Sequence, residues 1–534
     1  MSTAAPEDPS TGERAGANLS RQGSVVAGMT LLSRITGFLR DVVLSYFFGA
    51  SYAADAFFVA FRIPNFFRRL FAEGAFSQAF VPVLARYKSE PRAVLRAFIS
   101  HMFGNLGLAL LAVVCLGWLF ADALVLVFAP GFIDEPARYT LATELVRITL
   151  PYLFFISLVA LASSVLNAHN RFAIPAFTPV LLNFCLIGAA LYGVASQAGS
   201  AAPALIDGAV IMLGWGVLIA GIVQLLFQLP SLGRLGLLAP PRPKLADDGV
   251  REVGRLLVPA VLAASVAQIN TLIDTMLAST LITGSISWLY YADRLLELPV
   301  GLVAVALGTV LLPHLSSLAS KGDAAAFSAT LDWGIRMAVI LAVPAACALY
   351  LLALPIFATI FMHGALTPAD ALMASFALQA FAAGLVGWVL VKVLAPGYFA
   401  HKDTRTPFRF GAIAVAVNIL GNLALFSWMG HVGLALATSA SGLVNAALLL
   451  RGLLASGRYQ ITPALRATLL RTLLAVVPMA VLLWVLAPGN AFWLDAEPGT
   501  RALALAGLIA AGAATYAVLQ LALGARPADF RYRL

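Results

Sequence analysis

Long apolar runs separated by short polar segments make up most of the chain after residue 25. An apolar run of about 20 residues is long enough to cross a bilayer as a helix. The runs are continuous rather than alternating, which favours helices over the strands of a membrane barrel. We therefore predict an all-α polytopic membrane protein with about fourteen transmembrane helices. The predicted spans cover roughly residues 25–49, 56–86, 98–128, 145–168, 174–196, 205–229, 252–281, 287–317, 332–358, 371–398, 408–429, 432–455, 465–487 and 501–523.

Composition supports this class. Of the 534 residues, 61% are hydrophobic and only 11% are charged, whereas a soluble domain carries about 25% charged residues. The sequence has no Walker loop, no GxSxG elbow and no metal-ligand spacing among its histidines. We therefore expect a transporter rather than an enzyme, with no ATP-driven engine.

The distribution of positive charge predicts the orientation. Roughly 24 of the 34 Lys and Arg residues fall in the first segment, alternate loops and the last segment. The opposite loops contain only Arg138, Arg147 and Arg501. Cytoplasmic loops carry the excess of Lys and Arg, so both termini are predicted in the cytoplasm. The net charge of +9 is then a topology signal, and we expect no nucleic-acid partner.

An internal repeat divides the chain. Three pairs of similar positions recur at an offset of about 235 residues, namely Pro64 with Pro299, Arg171 with Arg405, and Asn183 with Asn418. Six spans is an even number, so the repeats are predicted as two six-helix lobes of the same orientation, with the cargo site between them.

These patterns give five predicted segments. Residues 1–23 are rich in Ser, Ala, Gly and Pro and lack an apolar core, so we predict a disordered cytoplasmic tail rather than a signal peptide. The others are an N-lobe at 24–230, a cytoplasmic linker at 231–251, a C-lobe at 252–456, and spans 13 and 14 with the C-terminal tail at 457–534.

Charged side chains inside the first two spans are the main functional signal. A charge at the centre of a membrane helix costs at least about 2.5–3.5 kcal/mol, so it tends to face a wet cavity or a partner. Guanidinium groups suit phosphate and carboxylate oxygens. The five arginines of these spans are Arg34, Arg40, Arg62, Arg68 and Arg69. The pattern predicts a membrane cavity for an anionic cargo.

The positions of these charges also allow internal ion pairs. One face of the second span carries four polar residues, because Asn65, Arg69 and Glu73 lie three, seven and eleven residues after Arg62. In span 8, Arg294 lies one turn from Glu297. The alternative to a cargo site is therefore pairing, such as Arg294 with Glu297 or Arg40 with Asp55.

A second polar set suggests a cation site. Asp274 lies in span 7, Asn418 and Asn422 lie one turn apart in span 11, and Thr438 lies in span 12. Their oxygens suit Na⁺ or a proton relay. The alternative is hydrogen bonding between helices, which is worth about 0.6–2 kcal/mol per contact.

Several runs resemble the MurJ (MviN) family, the lipid II flippases of the MOP exporter superfamily. They are SRITGFLRD at 33–41, DAFFVAFRIPN at 55–65, RRLFAEGAFSQAF at 68–80, NRFAIPAF at 170–177, YADR at 291–294 and KVLAPG at 392–397. The resemblance implies two MATE-like lobes that alternate between inward-open and outward-open states. The implied cargo is lipid II, an undecaprenyl-pyrophosphate-linked disaccharide pentapeptide used for peptidoglycan.

The resemblance also implies roles for individual residues. We assign substrate binding to Arg34, Arg40, Arg62, Asn65, Arg68, Arg69 and Arg294. We assign ion pairing or gating in the cavity to Asp41, Asp55, Glu73, Asp293 and Glu297. The sodium site of some members resembles Asp274, Asn418, Asn422 and Thr438, although this chain has Asn422 where some members have aspartate. Spans 13 and 14 are implied to form a groove for the lipid tail.

Other expectations follow from the same resemblance. We expect a monomer in the bacterial inner membrane, in contact with membrane lipids and with the cell-wall synthesis machinery as a plausible neighbour. Na⁺, H⁺ or the membrane potential would drive the return step, and no other cofactor is expected. The rival interpretations are a cation-coupled drug exporter, a flippase for another polyprenyl-pyrophosphate glycan, and a membrane scaffold without transport.

Overall fold

The computed structural model describes residues 9–71, 75–196 and 202–526, and every regular element in these ranges is a helix. The helices are α1 (Pro9–Phe48), α2 (Tyr52–Phe71), α3 (Ala75–Lys88), α4 (Arg92–Leu119), α5 (Ala121–Phe128), α6 (Pro136–Thr149), α7 (Tyr152–Ala168), α8 (Ala173–Ser196), α9 (Ala202–Arg234), α10 (Asp248–Ser279), α11 (Ser285–Lys321), α12 (Ala324–Leu351), α13 (Ala353–Ile360), α14 (Pro368–Phe399), α15 (Arg405–Met429), α16 (His431–Ala455), α17 (Pro463–Leu486), α18 (Asn490–Asp495) and α19 (Pro498–Ala522). A short 3-10 helix covers Pro130–Asp134.

The predicted helical membrane class is confirmed. Ten segments of the described chain are long and apolar enough to cross a membrane, by length and composition. They coincide with predicted spans 3–6 and 9–14, while the other four predicted spans correspond to α1, α2 with α3, α10 and α11. The total of fourteen spans stays a prediction. Residues 9–23, part of the predicted disordered tail, form the start of α1.

Several predicted spans are broken into two helices. Phe120 separates α4 from α5 and Leu352 separates α12 from α13, with similar backbone angles (φ −103°, ψ 30° and φ −99°, ψ 16°). Leu150 and Pro151 separate α6 from α7, and the Pro151 ring leaves no N–H for a continuing helix. An apolar run shows that a segment is buried in lipid or protein, but not where the helix is interrupted.

The chain forms two compact units. Unit 1 comprises Met1–Leu44, Ala56–Phe128 and Phe132–Gln268. Unit 2 comprises Ser45–Asp55, Ala129–Gly131 and Ile269–Leu534. The lobe limits predicted from the sequence stay predictions, since α10 contributes residues to both units.

Stacked aromatic rings fill part of unit 1. Phe76, Phe80, Phe98 and Tyr87 form a continuous stack with centroid distances of 5.2, 5.9 and 4.1 Å. Buried residues of α3, α4, α7 and α9 surround it, together with Leu237 of the segment that follows α9. The core of this unit therefore includes the beginning of the predicted linker.

The rest of that linker lies along α4. Ser100 donates to the carbonyl of Pro240 (2.5 Å) and accepts, through its own carbonyl, a hydrogen bond from the Arg242 N–H (3.2 Å). His101 Nδ1 lies 2.8 Å from a carboxylate oxygen of Asp247. The two bonds of Ser100 satisfy backbone groups of a segment that has no secondary structure of its own.

In unit 2, three polar contacts attach the last helices to α12 and α13. Tyr459, between α16 and α17, donates to the buried Asp332 (2.9 Å). Arg501, in the first turn of α19, donates to the carbonyl of Ala358 (2.7 Å). Tyr516 of α19 donates to a carbonyl of α12 (2.8 Å). Burial of the Tyr459 hydroxyl and its proximity to the Asp332 carboxylate raise the pKa of Tyr459, so it remains a donor at neutral pH.

The loops before α8 and α15 share a local backbone geometry, and the internal repeat itself stays a prediction. Among the described residues, Asn170 (φ 58°) and Lys402 (φ 59°) are the non-glycine residues with left-handed backbone angles. Each follows a histidine whose Nδ1 contacts a carbonyl four residues earlier. These two positions are 232 residues apart (402 − 170). The pairing of Arg171 with Arg405 stays a prediction, and Arg405 begins α15 whereas Arg171 precedes α8.

Candidate functional site

Arg40 is the most deeply buried of the five arginines in α1 and α2, with 5% of its surface exposed. Its Nε and Nη2 donate to Asp41 Oδ1 (2.9 and 2.7 Å), and its Nη1 donates to Asn183 Oδ1 of α8 (3.1 Å). Asn183 in turn donates to Thr36 Oγ1 (3.0 Å). Arg40 therefore ties α1 to α8 within unit 1, with a carboxylate beside its charge.

The pairing of Arg40 with Asp55, which the sequence suggested as an alternative, stays a prediction. Arg40 bonds to Asp41, the next residue on its own helix. The carboxylate of Asp55 accepts from the N–H groups of Gly284 and Ser287 (2.7 and 2.9 Å) and from the Ser287 hydroxyl (2.5 Å). Asp55 is fully buried within unit 2 and caps the N-terminus of α11, where partial positive charge favours a carboxylate.

The remaining arginines of α1 and α2 are more accessible. Arg34 and Arg69 are exposed, while Arg62 and Arg68 are half-buried. Asn65 holds Arg68 by accepting from its Nε (3.1 Å). Arg68 is thus oriented in part by a neutral amide. Glu73, which was assigned to the same helix face, lies outside the described residues.

Arg294 lies on α11 in unit 2. Its Nη1 donates to Glu297 (2.7 Å), and its Nη2 lies 3.3 Å from the hydroxyl of Tyr290. The guanidinium carbon is 5.1 Å from the centre of the Tyr290 ring. The pairing of Arg294 with Glu297 that the spacing suggested is therefore present, and the side chain stays about one-third exposed (32%). Asp293 is exposed on the same helix.

The four residues of the predicted cation site lie together in unit 2. Asn422 Nδ2 donates to Asp274 Oδ1 (2.6 Å) and to Asn418 Oδ1 (2.8 Å). Asn418 Nδ2 donates to Thr438 Oγ1 (3.0 Å). The cluster joins α10, α15 and α16. Whether it holds a cation stays a prediction.

An apolar cavity of about 510 Å³ lies between α12, α17 and α19 in unit 2. Residues that line it include Ile340, Pro344, Met479, Leu508 and Gly512. Its lining also contains Tyr516 and Gln520, which bond to each other (2.9 Å). The space is suited to a hydrocarbon chain because almost all of the atoms around it are apolar.

Sequence reasoning did not assign three of the contacts around these residues. Asn183 was noticed only as part of the repeat, although it is a partner of Arg40. Tyr290 was not linked to Arg294, although it lies four residues earlier on the same helix face. Asn270 was not included in the cation set, although it precedes Asp274 by one turn and approaches Asn418. Helical spacing alone would have pointed to the last two.

Known proteins resemble this chain over nearly its whole length. The family model for the lipid II flippase MurJ matches residues 44–495. A probable lipid II flippase MurJ from Vibrio cholerae is 45% identical over 523 residues, which is 96% of this chain and 98% of the relative. The lipid II flippase MurJ of Burkholderia cenocepacia is 39% identical over 97% of this chain and 99% of the relative.

Solved structures agree with this assignment. A lipid II flippase MurJ in an inward closed conformation superposes with a TM-score of 0.76 at 28% identity, covering 92% of this chain and 97% of that one. A multidrug resistance MATE family transporter of the MOP superfamily in an inward-facing conformation has a TM-score of 0.64 at 14% identity, covering 81% and 98%. The second likeness concerns the fold alone. With a matching family model over most of its length and relatives above 30% identity, this chain belongs to the MurJ family of lipid II flippases.

Proposed function

We propose that this chain moves lipid II from the inner to the outer leaflet of the bacterial inner membrane. The observation that carries the proposal is the match to the lipid II flippase MurJ family over residues 44–495, which contains the basic helix α2. Membership of a flippase family supports a transport role, and it favours lipid II over a cationic drug or a purely structural role.

The arginines of α1 and α2 are proposed to bind the pyrophosphate. Arg34, Arg62, Arg68 and Arg69 are exposed or half-buried in unit 1, so a ligand has access to their guanidinium groups. Charged hydrogen bonds to phosphate oxygens are about twice as strong as neutral ones. Four cations would replace much of the water that surrounds the pyrophosphate outside the membrane.

Arg40 is proposed to act from a buried position. All three of its nitrogen atoms already donate to Asp41 or Asn183. It therefore holds α1 in place and adds positive charge to its surroundings, while its more accessible neighbours make the direct contacts. Arg294, in unit 2, is proposed to bind phosphate oxygens as well, because its pairing with Glu297 is partly open to solvent.

The apolar cavity of unit 2 is proposed to accept part of the polyprenyl tail. Each buried CH₂ group contributes about 0.8 kcal/mol when it leaves water, but a tail that already lies in lipid gains little from this transfer. The cavity would therefore guide the tail rather than supply most of the affinity. The polar head would cross through the protein while the tail remains in an apolar environment.

Alternating access is the proposed mode of transport. The fold is shared with MATE transporters whose solved structures include inward-facing and outward-facing conformations, the latter with a TM-score of 0.55 at 12% identity. A cargo shifts such an equilibrium only by as much as its affinity differs between the two states. We propose that pyrophosphate binding supplies that difference.

Growth complementation tests the proposed site. A Gram-negative host depleted of its own lipid II flippase would express this chain as wild type, Arg68→Ala, or Arg409→Ala as a matched control. Arg409 is an exposed arginine at the start of α15. Loss of one charged hydrogen-bonding group costs about 1.5–3 kcal/mol, or roughly 10- to 150-fold in binding.

We expect the wild type and Arg409→Ala to restore growth and Arg68→Ala to fail at matched membrane levels. Normal growth with Arg68→Ala would contradict the assigned role of that residue. Failure of a correctly inserted wild type would contradict the proposed cargo.

A further inference from the structure

Two asparagine amides connect the polar residues of α10, α15 and α16 by hydrogen bonds. Asn418 and Asn422 are fully buried, and the Asn422 amide nitrogen lies 2.6 Å from Asp274 Oδ1. The same nitrogen donates a second hydrogen bond to Asn418 (2.8 Å). Thr438 accepts from Asn418 and donates to the carbonyl of Leu434 (2.9 Å). The hydrogen-bond chain therefore runs from one carboxylate to a backbone carbonyl without a break.

The direction of the Asn418 amide changes its own bonds to Asn422 and Thr438, but not the donor that Asn422 directs at Asp274. In the opposite orientation, Asn418 Nδ2 lies 3.1 Å from Asp274 Oδ1 and 2.7 Å from Asn270 Oδ1. Its oxygen then accepts from the Thr438 hydroxyl and N–H (3.0 and 3.2 Å). In both orientations an amide nitrogen is directed at the carboxylate of Asp274.

A hard cation would need electron-rich oxygen atoms around it instead of an N–H donor. Na⁺ would be bound by oxygen atoms, whereas an N–H donor next to the carboxylate occupies the place of the cation. Among Asp274, Asn418, Asn422 and Thr438, Asp274 supplies the single negative charge. The donor set as arranged does not fit Na⁺.

In unit 1, a side-chain hydrogen bond also joins the two helices that correspond to α10 and α15. In the predicted repeat, spans 1 and 5 correspond to spans 7 and 11, which are α1 and α8 in one unit and α10 and α15 in the other. In unit 1 the donor is Arg40 of α1 and the acceptor is Asn183 of α8, whereas in unit 2 the donor is Asn422 of α15 and the acceptor is Asp274 of α10. Each unit therefore supplies its own donor at this contact.

We propose that Asn422 acts as a built-in donor that replaces a sodium ion in unit 2. The cluster then links three helices permanently instead of binding and releasing Na⁺. Changing Asn422 to aspartate would remove this donor, add a second carboxylate and open a monovalent cation site. A corollary, which rests on the proposed function, is that lipid II transport by this chain does not require Na⁺.

Thermal unfolding of the purified full-length chain in detergent tests the site without any transport assay. The melting temperature would be measured in NaCl, KCl and choline chloride at equal ionic strength. The wild type is expected to melt at the same temperature in all three salts. Asn422→Asp is expected to gain about 3 °C or more in saturating NaCl only, because a ligand that binds the folded state stabilises it.

The matched control is Asn105→Asp, which adds a carboxylate at a buried asparagine of α4 in unit 1. It is expected to melt at the same temperature in each salt. A saturable, Na⁺-specific rise for the wild type would overturn the proposal, and this measurement holds even if Asn422→Asp does not fold. A folded Asn422→Asp protein without a Na⁺ response would overturn it as well.

Discussion

A single carboxylate fixes the beginning of α11. Asp55 accepts three hydrogen bonds from Gly284 and Ser287, and no solvent reaches it. The residue at the helix start is Gly284, which has a left-handed backbone (φ 95°) and no side chain to cap the helix itself. The cap must therefore come from elsewhere in the chain, and Asp55 in the first turn of α2 supplies it.

Asp55→Asn is predicted to destabilise the protein by about 1–3 kcal/mol. The amide has the same shape but no charge, and its NH₂ group would face one of the N–H donors that the carboxylate now accepts. Thermal unfolding in detergent measures the change. Asp495→Asn, at an exposed position at the end of α18, is the control and should melt like the wild type. Equal stability of Asp55→Asn and the wild type would contradict the capping role.

At this scale the sequence predicted the charged residues better than their partners. Arginines within apolar runs can be recognised from the chain alone, and so can Arg294 with Glu297, because one turn of helix separates them. The bonds from Asp55 to the start of α11 could not be predicted, because these backbone N–H groups are more than 200 residues away in the chain. Helical periodicity indicates which face a residue occupies, but not which helix lies opposite.

At the scale of elements, the segment after α9 depends on a glycine in α4. A Cβ atom added to Gly104 would lie 2.4 Å from the carbonyl carbon of Arg242, which is too close for any side chain. One turn later, a Cβ at Gly107 would meet a Phe154 ring carbon at an ordinary 3.7 Å. The absence of a side chain at Gly104 therefore allows the segment to lie against the helix.

Gly104→Ala is predicted to detach this segment, whereas Gly107→Ala should leave it in place. Limited trypsin digestion gives the readout, because Lys244 is exposed within the segment and is followed by leucine. We expect cleavage after Lys244 at least about 5-fold faster in Gly104→Ala, because a detached segment samples open conformations more often. Equal cleavage rates in the two variants would show that the close approach is not required.

The approximate positions of the long apolar helices could be predicted from the sequence, because a helix that crosses lipid needs a minimum apolar length. The breaks at Phe120 and Leu352 did not, since neither position carries a proline or glycine. The path of the linker was also beyond prediction, because its bonds to α4 involve mainly backbone atoms, which every residue shares.

At the scale of the whole molecule, the distribution of Lys and Arg predicts which side of the membrane each loop faces. The basic loops are proposed to face the cytoplasm, with the loop between α17 and α19 on the opposite side. Single cysteines would replace Lys244 and Glu497 in a chain whose native Cys115, Cys185 and Cys347 are changed to alanine.

A membrane-impermeant maleimide applied to intact spheroplasts is expected to label position 497 and not position 244. Breaking the membrane should allow both positions to react. Both positions are exposed, so burial does not limit either reaction. Labelling of position 244 in intact spheroplasts would reverse the proposed orientation.

The most direct test of the account is the appearance of lipid II in the outer leaflet. Cells depleted of their own flippase would express this chain, and a lipid II-degrading enzyme applied from outside would report how much lipid II has crossed. We predict that the wild type restores degradation to the level of undepleted cells. Arg68→Ala should reduce it about 10-fold or more, while Arg409→Ala should match the wild type. Full protection of lipid II in cells with a folded, inserted wild-type chain would contradict the proposed function.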